Sequence, residues 1–132
     1  MLLVDTNVIV DVLQDDPHWA EWSILQLRTQ ALIHGLVINP VIYAEISLSF
    51  VTIEALDAVL ARMELAMYEI PKSALFLAGK AFARYRKRGG NKTQVLPDFF
   101  IGAHAAVLGW PLLTRDAGHY KTYFPTLEVL AP

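Results

Sequence analysis

Short apolar runs that lack alternating polar residues recur along this sequence, and segments of helical character separate them. The runs occupy residues 2–4, 36–38, 66–70, 112–113 and 127–130. A strand without alternation is buried on both faces, which is typical of a parallel sheet covered by helices. The pattern therefore predicts an α/β fold with three layers, in which a parallel central sheet is flanked by helices.

Capping residues, prolines and glycines mark the ends of the helices between these runs. Pro17, for example, suits the first position of a helix, and Gly35 ends it. We predict helices over residues 8–13, 17–34, 41–51, 53–64, 71–88 and 97–109. The longest irregular stretch, roughly 89–97, is too short to separate two domains. Residues 1–132 are therefore expected to form a single domain.

Composition excludes several classes of protein. Hydrophobic residues fill 55% of the 132 positions and the mean hydropathy is +0.38, so the chain has enough apolar surface to fold. The absence of cysteine excludes a disulfide scaffold, a thiolate zinc site and a cysteine nucleophile. No apolar run reaches the roughly 18 residues of a membrane span, and no basic leader precedes the first acids. We expect a cytoplasmic protein with no membrane partner.

Four of the 13 acidic residues occupy positions that differ from ordinary surface sites. Asp5 and Asp116 follow apolar strands, where a helix cap or a turn would also explain them. Asp98 lies in the first turn of a helix, where the macrodipole favours an acid. Glu45 has Val41, Ile42 and Leu48 as helical neighbours, so it needs a cation, a strong donor or a raised pKa, unless it pairs with an arginine or reaches the rim.

Parallel topology brings strand ends and the following helix starts to one edge of the sheet, so these four carboxylates are expected to converge. Two carboxylates about 5 Å apart repel by about 3 kcal/mol at an effective dielectric constant of about 20. A divalent cation removes this repulsion, and an oxygen-only site favours Mg²⁺ or Mn²⁺. The four histidines have no paired spacing, which disfavours zinc.

The net charge of −2 gives no overall attraction to nucleic acid, but the basic residues are unevenly distributed. Five of the 11 fall within nine positions and, with Arg115, are candidates for binding RNA phosphates: Arg84, Arg86, Lys87, Arg88 and Lys92. A soluble helix end, where cations suit the macrodipole, explains this stretch equally well.

Four segments in order resemble the PIN-domain family, and specifically VapC-type toxins of VapBC toxin-antitoxin systems. They are LLVDTNVIVDVL at the amino terminus, VIYAEIS in the third helix, LPDFFIGAHA in the late helix, and LLTRDAGHYKTYFPTLEVLAP at the end. Residues 14–35 and 52–92 match only in general helical character.

The resemblance implies a metal-dependent endoribonuclease that forms a homodimer and is inhibited by a VapB-type antitoxin. It carries over four catalytic and metal-binding acids, Asp5, Glu45, Asp98 and Asp116, and the last is the least uniform in role. Thr6, Asn7 and Thr114 lie beside these acids and would orient them. Two alternatives stay open: a noncatalytic module that binds RNA or an antitoxin, and a nuclease of the same kind that acts on DNA.

Overall fold

The computed structural model describes all residues, 1–132, and contains one five-stranded parallel sheet. The order of the strands across the sheet is β3-β2-β1-β4-β5, and every neighbouring pair is parallel. The strands are β1 (Leu2–Val4), β2 (Leu36–Ile38), β3 (Ala66–Met67), β4 (Leu112–Leu113) and β5 (Val129–Leu130). The predicted α/β fold, with a parallel central sheet flanked by helices, is confirmed.

Seven helices connect or follow these strands. They are α1 (Thr6–Leu13), α2 (Ala20–Ala31), α3 (Pro40–Ile46), α4 (Ile53–Arg62), α5 (Lys72–Lys87), α6 (Leu96–Leu108) and α7 (Gly118–Tyr123). Helix α2 begins at Ala20, because the Asp16 carboxylate accepts hydrogen bonds from the backbone N–H groups of His18 and Trp19 and forms a separate turn. The prediction that Pro17 starts this helix was wrong. Helix α7 was not predicted at all.

The central strands are buried on both faces, as their lack of alternation predicted. Leu2, Leu3 and Val4 of β1 have no exposed surface, and neither do Leu112 and Leu113 of β4. These residues belong to a core cluster of 27 buried side chains. None of the helices is both long and apolar enough to cross a membrane.

The topology places a crevice beside β1. From β1 the chain moves outward to β2 and β3, and it later returns to add β4 on the other side of β1. The strand order therefore reverses between β1 and β4. In open α/β sheets, ligands bind at the carboxyl ends of the strands at such a reversal.

Candidate active site

Asp5 occupies the centre of this crevice, directly after β1, and is only 5% exposed. Its Oδ1 accepts a hydrogen bond of 2.7 Å from the backbone N–H of Thr6, so it does cap helix α1. Its Oδ2 accepts two more, from the Thr114 hydroxyl at 2.8 Å and from the Tyr120 hydroxyl at 2.9 Å. The Asp5 carboxylate therefore caps a helix and also lies at the end of the central strand, beside the other polar groups of the site.

Asp98 approaches Asp5 from helix α6. It lies in the first turn of that helix and is half-buried. The Tyr120 hydroxyl lies 3.3 Å from Asp98 Oδ1 as well as 2.9 Å from Asp5 Oδ2. A single hydroxyl thus joins two carboxylates that are 93 residues apart in the sequence, which brings the predicted pair together.

Glu45 reaches the same region from helix α3 through a hydroxyl. The Thr6 side chain donates a hydrogen bond of 2.6 Å to Glu45 Oε1. The expectation of an apolar face around Glu45 was only half right, because Ile42 is buried but Leu48 is 90% exposed. The α-helix ends at Ile46 and continues as a 3₁₀ turn, which carries Leu48 away from the core.

Asp116 is exposed and its carboxylate forms a local turn. Oδ1 accepts a hydrogen bond of 3.0 Å from the backbone N–H of Gly118, at the start of helix α7. The Thr114 hydroxyl contacts the backbone N–H and C=O of Asp116, at 3.1 and 3.2 Å, while it also donates to Asp5. Thr114 therefore links the segment that carries Asp116 to the buried acid.

The electrostatics show that the four acids act on one another. The pKa of Asp98 is raised to about 7, chiefly by burial and further by the negative charges of Asp5, Glu45 and Asp116. Burial also raises the pKa of Asp5, against the lowering effect of hydrogen bonds from Thr114, Tyr120 and the Thr6 backbone. Both Asp5 and Asp98 therefore hold a proton to a higher pH than a solvated aspartate does in the absence of a cation.

The donor set fits a divalent cation by its chemistry. The side chains hydrogen-bonded to Asp5 are the hydroxyls of Thr114 and Tyr120, and the carboxylates nearby repel one another. Such an oxygen-rich environment favours a hard ion such as Mg²⁺ or Mn²⁺. In their present orientations, no three His, Asp or Glu side chains form a group that could hold a metal ion. The hydroxyl groups of Thr6, Thr114 and Tyr120 instead donate hydrogen bonds to some of the carboxylate oxygens.

A second set of contacts holds the segment after β4 against helix α1. Asn7 Oδ1 accepts a hydrogen bond of 3.0 Å from the Arg115 backbone N–H, and the Arg115 guanidinium forms two bonds of 2.9 Å to Asp11. Asp11 is 2% exposed, also accepts from the Ser23 hydroxyl at 3.1 Å, and was not singled out from the sequence. The Arg115 side chain, a predicted phosphate ligand, is thus already paired within the protein.

The remaining predicted phosphate ligands are exposed at the end of helix α5 and just beyond it: Arg84, Arg86, Lys87, Arg88 and Lys92. Aromatic contacts place this end of α5 beside the acidic crevice. The Tyr85 ring lies 5.6 Å from that of Phe99, the neighbour of Asp98, and the Arg88 guanidinium lies 5.5 Å from the Tyr123 ring on α7. The positive segment and the acids therefore occupy adjoining parts of the molecule.

Tyr120 is the site residue that sequence reasoning missed. A signal was present, because Tyr120, Tyr123 and Phe124 are spaced i, i+3 and i+4, which is the apolar pattern of one helix face. Polar residues between them obscure it, and the helix is only six residues long.

Fold and site together define an α/β domain with an acidic crevice at the reversal of a parallel sheet. Residues 2–125 match the sequence profile of the PIN domain family. The chain therefore belongs to the PIN domain family. A search of curated proteins finds no match.

Solved structures with the same fold come from bacterial toxin-antitoxin complexes. VapBC2 from Rickettsia felis, solved with a DNA fragment from its promoter, gives a TM-score of 0.76 at 19% identity, covering 99% of this chain and 98% of that one. VapBC-1 from nontypeable Haemophilus influenzae gives a TM-score of 0.72 at 19% identity, covering 98% of this chain and 96% of that one. DNA-bound VapBC from Salmonella typhimurium gives a TM-score of 0.71 at 17% identity, covering 99% of this chain and 98% of that one. At these identities the likeness concerns the fold.

Proposed function

We propose that this chain is a VapC-type toxin, a Mg²⁺- or Mn²⁺-dependent endoribonuclease that hydrolyses RNA phosphodiester bonds. On this proposal residues 1–132 work as one domain, as a homodimer in the cytoplasm. The observation that carries it is the meeting of acids at the reversal of the sheet, where the Tyr120 hydroxyl lies 2.9 Å from Asp5 Oδ2 and 3.3 Å from Asp98 Oδ1. The raised pKa of Asp98, about 7, agrees with this closeness. Such a group of acids is typical of a site for a divalent cation.

Asp5, Glu45 and Asp98 would hold the cation, and Asp116 would hold a second ion or orient the attacking water. The bound ion lowers the pKa of water and offsets negative charge on the phosphate. The protein's own contribution is to fix its ligands. The Thr6 hydroxyl holds Glu45, the Thr114 hydroxyl holds Asp5, and Asn7 ties the segment that carries Asp116 to helix α1 through the Arg115 backbone.

RNA is the proposed substrate because an exposed basic segment suits a phosphate backbone that must approach an acidic crevice. Arg84, Arg86, Lys87, Arg88 and Lys92 are exposed, and none of them forms an ion pair within the chain. Their charges would attract the backbone while the cation offsets the repulsion from the acids. Arg115 contributes less, since Asp11 already neutralises it.

The central test is an Asp5→Asn variant, which keeps the size of the side chain and removes its charge. We expect Mg²⁺-dependent cleavage of a labelled RNA to fall by at least about 100-fold, because the buried ligand is lost. Glu54→Gln, on the exposed face of helix α4, is the matched control and should cleave normally.

Full cleavage by Asp5→Asn would remove the catalytic assignment and favour a noncatalytic binding module. Competition between RNA and DNA of the same sequence at matched salt tests the substrate. If DNA is cleaved in preference, the enzyme is a nuclease of the same chemistry but not a ribonuclease.

A VapB-type antitoxin is the proposed partner. Helices α2 and α4 border a groove of about 420 Å³ whose lining is mostly apolar and includes Ile24, Leu27 and Met63, with Arg28 and Arg62 beside them. This combination suits an amphipathic helix with acidic residues along its edge. Arg28→Glu together with Arg62→Glu should weaken binding of a VapB-type protein encoded just upstream, whereas Arg84→Glu should not. If the double variant and Arg84→Glu bind the antitoxin equally well, the antitoxin binds to another surface of the protein.

A further inference from the structure

Tyr120 makes one contact that none of the sequence motifs suggested. It lies on helix α7 and is 3% exposed. Its hydroxyl is 2.9 Å from Asp5 Oδ2 and 3.3 Å from Asp98 Oδ1. Asp5 follows the central strand and Asp98 begins helix α6, so this hydroxyl joins two elements that meet only in the folded chain.

The ring that carries this hydroxyl is held in place by close packing between α6 and α7. Gly102 lies one turn after Asp98 on α6, so both residues share a helix face. A Cβ at Gly102 would lie 3.0 Å from Tyr120 Cδ1 and 2.5 Å from Phe124 Cε2. Glycine therefore lets the Tyr120 ring pack directly on the backbone of α6, which limits the movement of the ring.

The contacts leave room on both carboxylates for another ligand. A carboxylate offers about four lone-pair positions on its two oxygens. Asp5 accepts hydrogen bonds from Thr6 and Thr114, and the Tyr120 hydroxyl shares its single proton between Asp5 Oδ2 at 2.9 Å and Asp98 Oδ1 at 3.3 Å. Each carboxylate therefore keeps lone-pair positions for a further ligand while the Tyr120 hydroxyl stays in place, so the hydroxyl does not have to leave for a cation to bind.

We propose that Tyr120 is a positioning residue, whose hydroxyl sets the spacing of the Asp5 and Asp98 carboxylates for a divalent cation. The proposal rests on the metal-dependent function proposed above and extends it to a residue outside the acidic group. Without the hydroxyl, the two carboxyl groups lose the only side chain that is hydrogen-bonded to both of them. Outer partners of this kind typically change metal affinity by about 10- to 100-fold.

The test compares Tyr120→Phe with Tyr123→Phe in the full chain. Both substitutions remove one phenol oxygen from a buried ring on α7, but Tyr123 contacts neither carboxylate through its hydroxyl. Phenylalanine retains the ring that packs against Gly102, and a thermal melt checks that the fold is kept. The first readout is Mn²⁺ affinity by isothermal titration calorimetry, and the second is RNA cleavage as a function of Mg²⁺ concentration.

We expect Tyr120→Phe to bind Mn²⁺ about 10- to 100-fold more weakly than the unmodified protein, and Tyr123→Phe to bind it equally well. The Mg²⁺ concentration for half-maximal cleavage should rise by a similar factor, with a smaller effect on the rate at saturating Mg²⁺. Unchanged or tighter Mn²⁺ binding by Tyr120→Phe would overturn the proposal.

The two readouts separate this proposal from the proposed function. Normal Mn²⁺ binding without RNA cleavage by the unmodified protein would refute the ribonuclease, while the affinity of Tyr120→Phe would still decide the role of the hydroxyl. Failure of the unmodified protein to bind Mn²⁺ would refute both.

Discussion

Replacing Arg115 with methionine removes the cation from a buried ion pair and leaves its partner without compensation. Asp11 is 2% exposed and accepts two bonds of 2.9 Å from the guanidinium. After the substitution, only the Ser23 hydroxyl, at 3.1 Å, remains as a side-chain donor to Asp11. The folded protein must then hold a carboxylate in a site with almost no access to water, which costs free energy.

The expected loss lies between two limits. Breaking a fully buried pair costs about 3–5 kcal/mol, whereas an exposed pair contributes about 0–1 kcal/mol. The Arg115 side chain is 33% exposed, so water stabilises part of the pair in the folded state. We therefore expect Arg115→Met to lower the free energy of unfolding by about 2–3 kcal/mol.

Urea denaturation of three variants measures this loss and its cause. Arg28→Met, an exposed position without an ion pair, should change the free energy of unfolding by less than about 0.5 kcal/mol. Adding Asp11→Asn to Arg115→Met removes the uncompensated charge and should recover at least about 1 kcal/mol. If the double variant is no more stable than Arg115→Met, the loss comes from packing against Trp19 and the reasoning from charge is refuted.

Three further predictions follow from features of the site and its surroundings. With a metal chelator present, the free energy of unfolding should fall as pH rises from about 4 to about 7, because the folded state holds the Asp98 proton up to a pKa of about 7 and the unfolded chain releases it near 3.8. Equilibrium unfolding measured across this pH range should give a flatter profile for Asp98→Asn than for the unmodified protein. Gly102→Ala should lower the free energy of unfolding in urea by about 1–3 kcal/mol, because the added Cβ meets two aromatic rings. At Gly79 a Cβ meets nothing within 4 Å, so Gly79→Ala should raise the free energy of unfolding by about 0.5–1 kcal/mol. Equal effects of the two substitutions would contradict the packing described. Finally, Arg86→Gln and Lys87→Gln should each reduce the slope of log affinity for single-stranded RNA against log salt by about 0.7, measured by fluorescence anisotropy, and an unchanged slope would place the RNA elsewhere.

The sheet could be predicted from the sequence because its signal is local. Leu2, Leu3 and Val4 form an unbroken apolar run, and burial on both faces follows from that pattern alone. The positions of Asp5 and Asp98 at a strand end and a helix start were also readable, since parallel topology brings such ends together.

The contacts that hold the site together were not predictable, because they depend on pairs distant in the sequence. Asp11 and Arg115 are 104 residues apart, and each is an ordinary charged residue in its local context. The surroundings of Glu45 were also predicted only in part. Its helical neighbours indicated an apolar face, but the change to a 3₁₀ turn after Ile46 carries Leu48 into solvent.

The placement of the first strand in the middle of the sheet has a consequence for synthesis. Strand β1 is synthesised before both of its neighbours, which come from residues 36–38 and 112–113. The hydroxyl that joins Asp5 to helix α6 comes later still, at position 120. A nascent chain cannot complete the acidic crevice until residue 120 has been added. The topology thus makes the crevice depend on residues spread from position 5 to position 120, and a shorter nascent chain lacks it.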